Sequence, residues 1–343
     1  MENLRKPLAN KASTPIFFWV KDSTQQTLKK QISRRNFLYL GGMAAAGGAV
    51  TLNADHARVR FFRERLAELI KPAHATRHKP KPAEWDTSKI TAAWLGHATA
   101  LINFQGVNII TDPALFSRVG ASFGMGTWGP LRRQAAALKA RELPKIDLVL
   151  LSHAHLDHFD LPSLRALPGS PQAVVARSTG DLLDETRLRA PIELGWGDRA
   201  KVKTARGDLE IEAFEVRHWG ARWRHDKHRG YNGYILRRGG RQIIFGGDTA
   251  LTDTFKTLRG KGHYDFAIMP IGAYNPFIYS HCNPEQALQM TNDAGAEHIL
   301  PMHHYTFRFG RELCTEPIER LHAALGAHTD RMGWRTAGDT FSI

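Results

Sequence analysis

Residues Leu148–Leu161 read LVLLSHAHLDHFDL, and the fold follows from how this stretch is read. The apolar run Leu148–Leu151 suits a buried strand, and Pro162 suits the first turn of a helix. Between them, four side chains of metal-ligand type fall within six positions: His153, His155, Asp157 and His158. The cluster therefore stands where a buried strand ends and a helix begins. Layered α/β proteins form their sites at that end of the sheet. A His-rich surface loop is the alternative, but polar side chains on the end of a hydrophobic strand need a reason to be there.

The spacing carries chemistry. Side chains two apart in extended chain point the same way, so His153 and His155 can share one ion. Asp157 and His158 lie past the strand, where the turning chain can face a second. Imidazole with carboxylate suits zinc and other first-row divalent metals.

Other strand-like runs end on the same residue types. LEIEAFEV (209–216) alternates as a half-buried strand does and leads to His218. RQIIFGG runs into Asp248, whose two oxygens could bridge two ions, although an Asp here could also cap a helix. HILPMHH closes a further run on His303 and His304. The 90–113 stretch holds two apolar runs around a Gln105-Gly106 turn, with His97 and Asp112 either buttressing the site or bonding within strand ends. His281 or Asn283 is placed to cap a helix beginning near Pro284. Residues 115–134 lack any period and read as a loop, in which Arg132 and Arg133 either meet an anionic substrate or form a solvated pair. Residues 180–189 read as a surface helix, and His225 and His228 as exposed.

HAHLDH at 153–158 matches an H-x-H-x-D-H signature, and from Ile90 to its end the chain resembles the metallo-β-lactamase superfamily. Gly96-His97-Ala98-Thr99, Thr111-Asp112-Pro113, Gly247-Asp248-Thr249 and Ile271-Gly272-Ala273-Tyr274 are similar to one branch of it: N-acyl-phosphatidylethanolamine-hydrolysing phospholipase D and related bacterial metal-dependent hydrolases. The ascorbate-phosphate lactonases lie nearby. The resemblance implies an α/β fold, an αββα four-layer sandwich. It implies two Zn2+ ions, with Mn2+ or iron fitting the same ligands. One ion would be held by His153, His155 and His218, the other by Asp157, His158 and His303, with Asp248 between them. It assigns His303 rather than His304, and it places Asp157 and His281 as catalytic residues. The activity implied is attack of a metal-held hydroxide on a phosphodiester, in an N-acyl-phosphatidylethanolamine-type phospholipid or a smaller molecule. Opening of a lactone is the alternative, a nuclease comes third, and a non-catalytic metal-binding protein is the reading from a different class.

The formal charge of +14 raises the question of nucleic acid, but residues 1–82 carry 16 Lys and Arg against 5 acids, and the remainder 31 against 28. The basicity belongs to the front, so no nucleic-acid partner is expected. There, Ser33-Arg34-Arg35-Asn36-Phe37-Leu38 resembles the twin-arginine export motif, followed by an Ala/Gly-rich apolar stretch to Leu52 that is short for a spanning helix. Residues 1–57 are thus expected to be a leader that engages the twin-arginine translocation machinery. The protein would reach the periplasm, or stay tethered to the inner membrane if the leader is uncleaved. Arg58–Ile70 suits an amphipathic helix, packed on the domain or lying on a membrane surface, and residues 78–84 a Pro- and Lys-rich linker. The catalytic domain would then span residues 85–343. Two cysteines, Cys282 and Cys314, are too few for a disulfide scaffold, with one bridge left open.

Overall fold

A computed structural model describes residues 73–343 apart from 124, 125 and 189. The export motif and the Arg58–Ile70 stretch lie outside the described residues. Among those described, no helix is long and apolar enough to cross a membrane.

In chain order the strands begin with β1 (Ile90–Gly96), β2 (Thr99–Phe104) and β3 (Val107–Thr111), then a small hairpin of β4 (Ala121–Phe123) and β5 (Gly126–Trp128). Next come β6 (Leu148–Leu151), helix α1 (Leu161–Ala166), β7 (Gln172–Ala176), β8 (Ile192–Leu194), β9 (Arg199–Val202) and β10 (Leu209–Phe214). The chain continues through β11 (Gly233–Arg238), β12 (Arg241–Phe245), α2 (Thr254–Leu258), β13 (Tyr264–Pro270), α3 (Pro284–Ala294), β14 (Ala296–Met302), α4 (Glu316–Leu325) and β15 (Thr340–Ser342).

Two large sheets result, ordered β15-β1-β2-β3-β6-β7-β8 and β14-β13-β12-β11-β10-β9. Trp94, Ile102, Leu150, Tyr234, Leu236, Phe266 and Trp334 pack together between the sheets. Phe255 and Leu258 of α2, Leu288 of α3 and Leu321 of α4 cover the outer face of the second sheet. Leu164 of α1 and Leu167 cover the outer face of the first. This is the α/β sandwich expected. Central strands buried on both faces explain why their sequences read as continuous apolar runs. Truncating a side chain such as Phe266, fully buried between the sheets, should cost about 3–5 kcal/mol.

Several local readings differ. The 90–113 stretch forms three strands, because a second tight turn at Gly96-His97 precedes the expected one at Gln105-Gly106. The described residues of 180–189 form only a short 3-10 helix, Gly180–Leu183, with Glu193 accepting from Gly180 N. β10 is buried almost throughout rather than on one face, since even Glu212 lies inside, paired with Arg237 and Lys261. Residues 78 and 79, read as part of a linker, are bound to the body through His78 with Asp339 and Lys79 with Glu142. No disulfide joins Cys282 and Cys314.

Direction matters most for function. β1 and β3 each run antiparallel to β2, and β6 is parallel to β3. In the other sheet β10 and β12 each run antiparallel to β11, and β14 follows parallel through β13. Thus the strands that end on His97, Asp112 and His153 share one direction, and those leading to His218, Asp248 and His303 share another within their own sheet.

Candidate metal centre

Six strand ends deliver donor atoms to one place. His153 Nε2 lies 2.8 Å from His155 Nδ1, which lies 3.2 Å from His218 Nε2. Next to them, Asp157 Oδ2 is 2.9 Å from His97 Nε2 and 3.5 Å from both His158 Nε2 and His303 Nε2. Asp248 Oδ2 sits between: 3.1 Å from His158 Nε2 and from His303 Nε2, 3.4 Å from His281 Nε2 and 3.9 Å from His218 Nε2. The sets His153/His155/His218 and His97/Asp157/His158/His303 are each compact enough to hold an ion. So are Asp112/His153/His158 and His218/Asp248/His281, which overlap them.

The outer nitrogens fix which inner ones carry lone pairs. His218 Nδ1 donates to the carbonyl of Ser280 at 2.8 Å, which leaves Nε2 unprotonated in the neutral ring. His158 Nδ1 donates to Asp112 Oδ2 at 2.7 Å, and Ser152 Oγ donates to the same oxygen at 2.5 Å. With that hydroxyl proton committed, His153 Nδ1–H donates to Ser152 Oγ at 2.8 Å. In their neutral forms His153, His158 and His218 therefore all turn a lone pair inward; burial would favour that form for His158, but Asp248 and Asp157 hold it well above the usual imidazole range.

Several of these inward atoms find no hydrogen bond: His155 Nε2, His158 Nε2, His303 Nε2 and Asp248 Oδ1 are buried without one. Orphaned buried donors and acceptors are costly and call for an explanation. Charge points the same way. Burial alone would raise Asp157 and Asp248, yet the surrounding imidazoles hold both well below the usual carboxylate range. Burial pushes His97 down to about 3 and His155 to about 4, and holds His153 and His218 well below the usual range. Burial would lower His303 as well, but Asp248 and Asp157 lift it to about 9. Two buried carboxylates thus demand positive charge at this spot, which protonated imidazoles or cations can supply. Nitrogen and carboxylate donors with inward lone pairs fit divalent metal ions.

The backbone is bent to reach this geometry. His97, Asp112 and His303 have φ of 56°, 32° and 62°, left-handed values that cost roughly 1–3 kcal/mol each in a non-glycine residue. Gly247, φ 57°, brings Asp248 close to Ser152, where a Cβ would fall 2.9 Å from Ser152 Cβ.

Each residue named from the sequence has a place here. His304 does not enter the cluster; it stacks on Trp94 at 4.6 Å between ring centroids. Asp248 caps no helix, since α2 begins at Thr254, and Asn283 rather than His281 caps α3 by accepting from Gln286 N. His281 instead faces Asp248 at the rim of the pocket, and His225 and His228 are exposed. Arg132 is buried and turned inward, so it does not meet a substrate in solution. Reading the sequence missed the Ser280 carbonyl and the Ser152 hydroxyl, for which no local pattern exists. Of the two readings open for His97 and Asp112, the structure shows the buttress: His97 meets Asp157 and Asp112 meets His158.

Comparison with known proteins gives a consistent picture. Residues 108–304 match the family model described as a β-lactamase superfamily domain. An uncharacterized protein of Mycobacterium tuberculosis is 32% identical over 250 residues, 70% of this chain and 65% of its own length, so the chain matches just under two thirds of that relative. The N-acyl-phosphatidylethanolamine-hydrolyzing phospholipase D 1 of Caenorhabditis elegans is 31% identical over 258 residues, 71% of this chain and 72% of its own. Among solved structures, a metallo hydrolase of Ignicoccus hospitalis shares the fold at TM-score 0.56 and 22% identity, covering 74% of this chain and 98% of that one.

Proposed function

The chain belongs to the metallo-β-lactamase superfamily, and from that premise we propose that it is a dinuclear metal-dependent hydrolase of phosphodiesters, with N-acyl-phosphatidylethanolamine-type phospholipids as its substrate class. One observation carries the reading: ring nitrogens of His158, His218 and His303, delivered by three strand ends, all lie within 4 Å of one oxygen of Asp248. In this proposal His153, His155 and His218 hold one ion, and Asp157, His158 and His303 hold the other, with Asp248 between. Zinc suits these donors, as do manganese and iron. Two divalent ions held there would stabilise charge on a substrate oxygen and bring the pKa of water towards neutrality.

The chain's own side chains supply the rest. Asp157 accepts a hydrogen bond from His97, which keeps its carboxylate turned into the cluster. His281 stands at the rim with its Nε2 3.4 Å from Asp248, placed to hold a proton beside a leaving oxygen. Trp219 and Phe277 flank His281 at ring distances of 6.4 and 6.3 Å, and both are nearly half exposed, as is Tyr279 more fully. An apolar rim of this kind supports a substrate that carries a lipid portion over one cut at a bare phosphate. The name of the 31%-identical nematode relative supports the same class.

Export through the twin-arginine route, a periplasmic location and contact of the Arg58–Ile70 stretch with the membrane surface complete the proposal. The test is elemental analysis of the purified protein, followed by parallel assays on N-acyl-phosphatidylethanolamine vesicles, a soluble aryl phosphodiester and a lactone. Hydrolysis of the lactone alone would replace the phosphodiester reading with ring opening. A metal-loaded protein that hydrolyses none of the three would end the hydrolase proposal for these substrates.

A further inference from the structure

Arg132 is only 3% exposed, and although the charge of Asp160 reaches it, its hydrogen bonds go to carbonyls. Its Nε donates to Gln134 O at 2.8 Å, its Nη2 to Leu95 O at 2.9 Å, and its Nη1 to Ala114 O. Leu95 lies two residues before His97, and Ala114 two residues after Asp112. The guanidinium also sits 5.4 Å over the ring of Phe307, in the segment that follows His303. A single planar group thus bonds the two turns that carry His97 and Asp112, both with left-handed backbone, and packs over the segment that follows the left-handed His303.

The fit leaves no slack. A Cβ on Gly96 would fall 2.3 Å from Arg132 Nη2, and Gly96 itself has φ 106°. Thr306 Oγ1 accepts from His97 N at 2.7 Å, and Arg133 N donates to Thr306 O at 2.8 Å, so the same segment ties the His97 and His303 turns to each other. Burial lowers the guanidinium to about 9, which leaves it charged at neutral pH. Left-handed non-glycine residues persist only where their surroundings over-determine them. A fixed fork of donors holds one carbonyl in each of the turns after β1 and β3, Leu95 O and Ala114 O, while its third arm is anchored on Gln134 O; a lysine's single ammonium cannot reproduce that fork.

Accepting the metal-centre reading above, we propose that Arg132 is a positioning residue of that centre, bracing the turns after β1 and β3 so that His97 stays on Asp157 and Asp112 stays on His158. Metal-binding affinity should therefore depend on it, although it touches no proposed ligand.

The test is titration of the metal-stripped full chain with Zn2+ against a chromophoric chelator, alongside the thermal midpoint. Arg132→Lys, Arg132→Met and Leu167→Ala are compared, the last as a core variant away from the site. Arg132→Lys should fold and bind Zn2+ about ten-fold more weakly or worse. Low-millimolar guanidinium should recover part of that affinity in Arg132→Met, while Leu167→Ala should lose thermal stability and keep its affinity. The proposal is overturned by Arg132→Lys binding Zn2+ as tightly as the unsubstituted chain. It is overturned equally if neither Arg132 variant folds, or if Leu167→Ala loses affinity in the same degree, since the role is then structural only. Failure of the unsubstituted chain to bind Zn2+ sinks the metal-centre reading itself and is seen before any variant is made.

Discussion

Asp112 Oδ2 lies 2.7 Å from His158 Nδ1, and both side chains are wholly shielded from solvent. Through Ser152 the same carboxylate also reaches His153, so one buried anion sets the proton positions of two histidines in neighbouring metal sets. Asp112→Asn tests this directly. Asparagine tolerates the left-handed backbone found here, keeps the volume, and can still accept from Ser152 N. Its amide, however, turns a donor towards His158 Nδ1 and moves that ring's proton to Nε2. Metal affinity should fall about 10- to 100-fold with little loss of secondary structure. Unchanged Zn2+ affinity in competition titrations would refute the tautomer argument.

Asp248 makes a different prediction. Its Oδ2 is within 4 Å of three imidazoles drawn from both sets, and of His281 besides. Asp248→Ala removes the group shared between them and should reduce bound metal to one equivalent or less, with activity lost below detection. The sandwich should survive, because Asp248 lies beyond β12 and takes no part in its pairing. Full metal content in the purified variant would count against its position between two ions.

The sequence made some of this arrangement plain and hid the rest for physical reasons. Period-two spacing places His153 and His155 on one side of extended chain, and an apolar run announces a buried strand end, so His218, Asp248 and His303 could be found one at a time. Their convergence depends on strand direction across two sheets, which no local pattern encodes. Arg132 shows the opposite failure. An Arg pair in a glycine-rich loop reads as solvated or as meeting an anionic substrate, and only the fold reveals three carbonyls that draw one guanidinium inside. His303 and His304 were indistinguishable by composition; the left-handed turn at His303 sends one to the cluster and the other onto Trp94.

Metal removal should be visible as a loss of stability. A ligand that binds only the folded chain adds RT ln(1 + [L]/Kd), about 2.7 kcal/mol at a hundred-fold excess over Kd. Stripping the protein also leaves Asp157 and Asp248 with only protonated imidazoles, such as His303, to balance their charge. The thermal midpoint should drop by several degrees with chelator and return on adding Zn2+. A midpoint indifferent to both would show that no ion is bound at these donors.

Acid sensitivity should arise in part far from this centre, at Glu212. Its carboxylate is 2% exposed and is met by Arg237 at 2.8 Å, Arg199 at 3.1 Å and Lys261. Burial alone would raise its pKa, but hydrogen bonds and charge from Lys261 and Arg237 outweigh that and leave it below 4.5. Between the folded and unfolded values the unfolded chain binds more protons, so stability rises with pH there. The contribution is complete above about pH 5, and it is lost as pH falls through 4.5 towards the folded value. Glu212→Gln should therefore be less stable than the parent at pH 7, leaving two cations facing a neutral amide, and the gap should narrow steadily below pH 4.5. Urea midpoints at pH 7, 5 and 4, with chelator present throughout so that metal release does not contribute, measure this. A gap that stays constant down to pH 4 or lower would mean that Glu212 keeps its proton affinity on folding, and the pairing seen on β10 would then contribute nothing to the pH dependence.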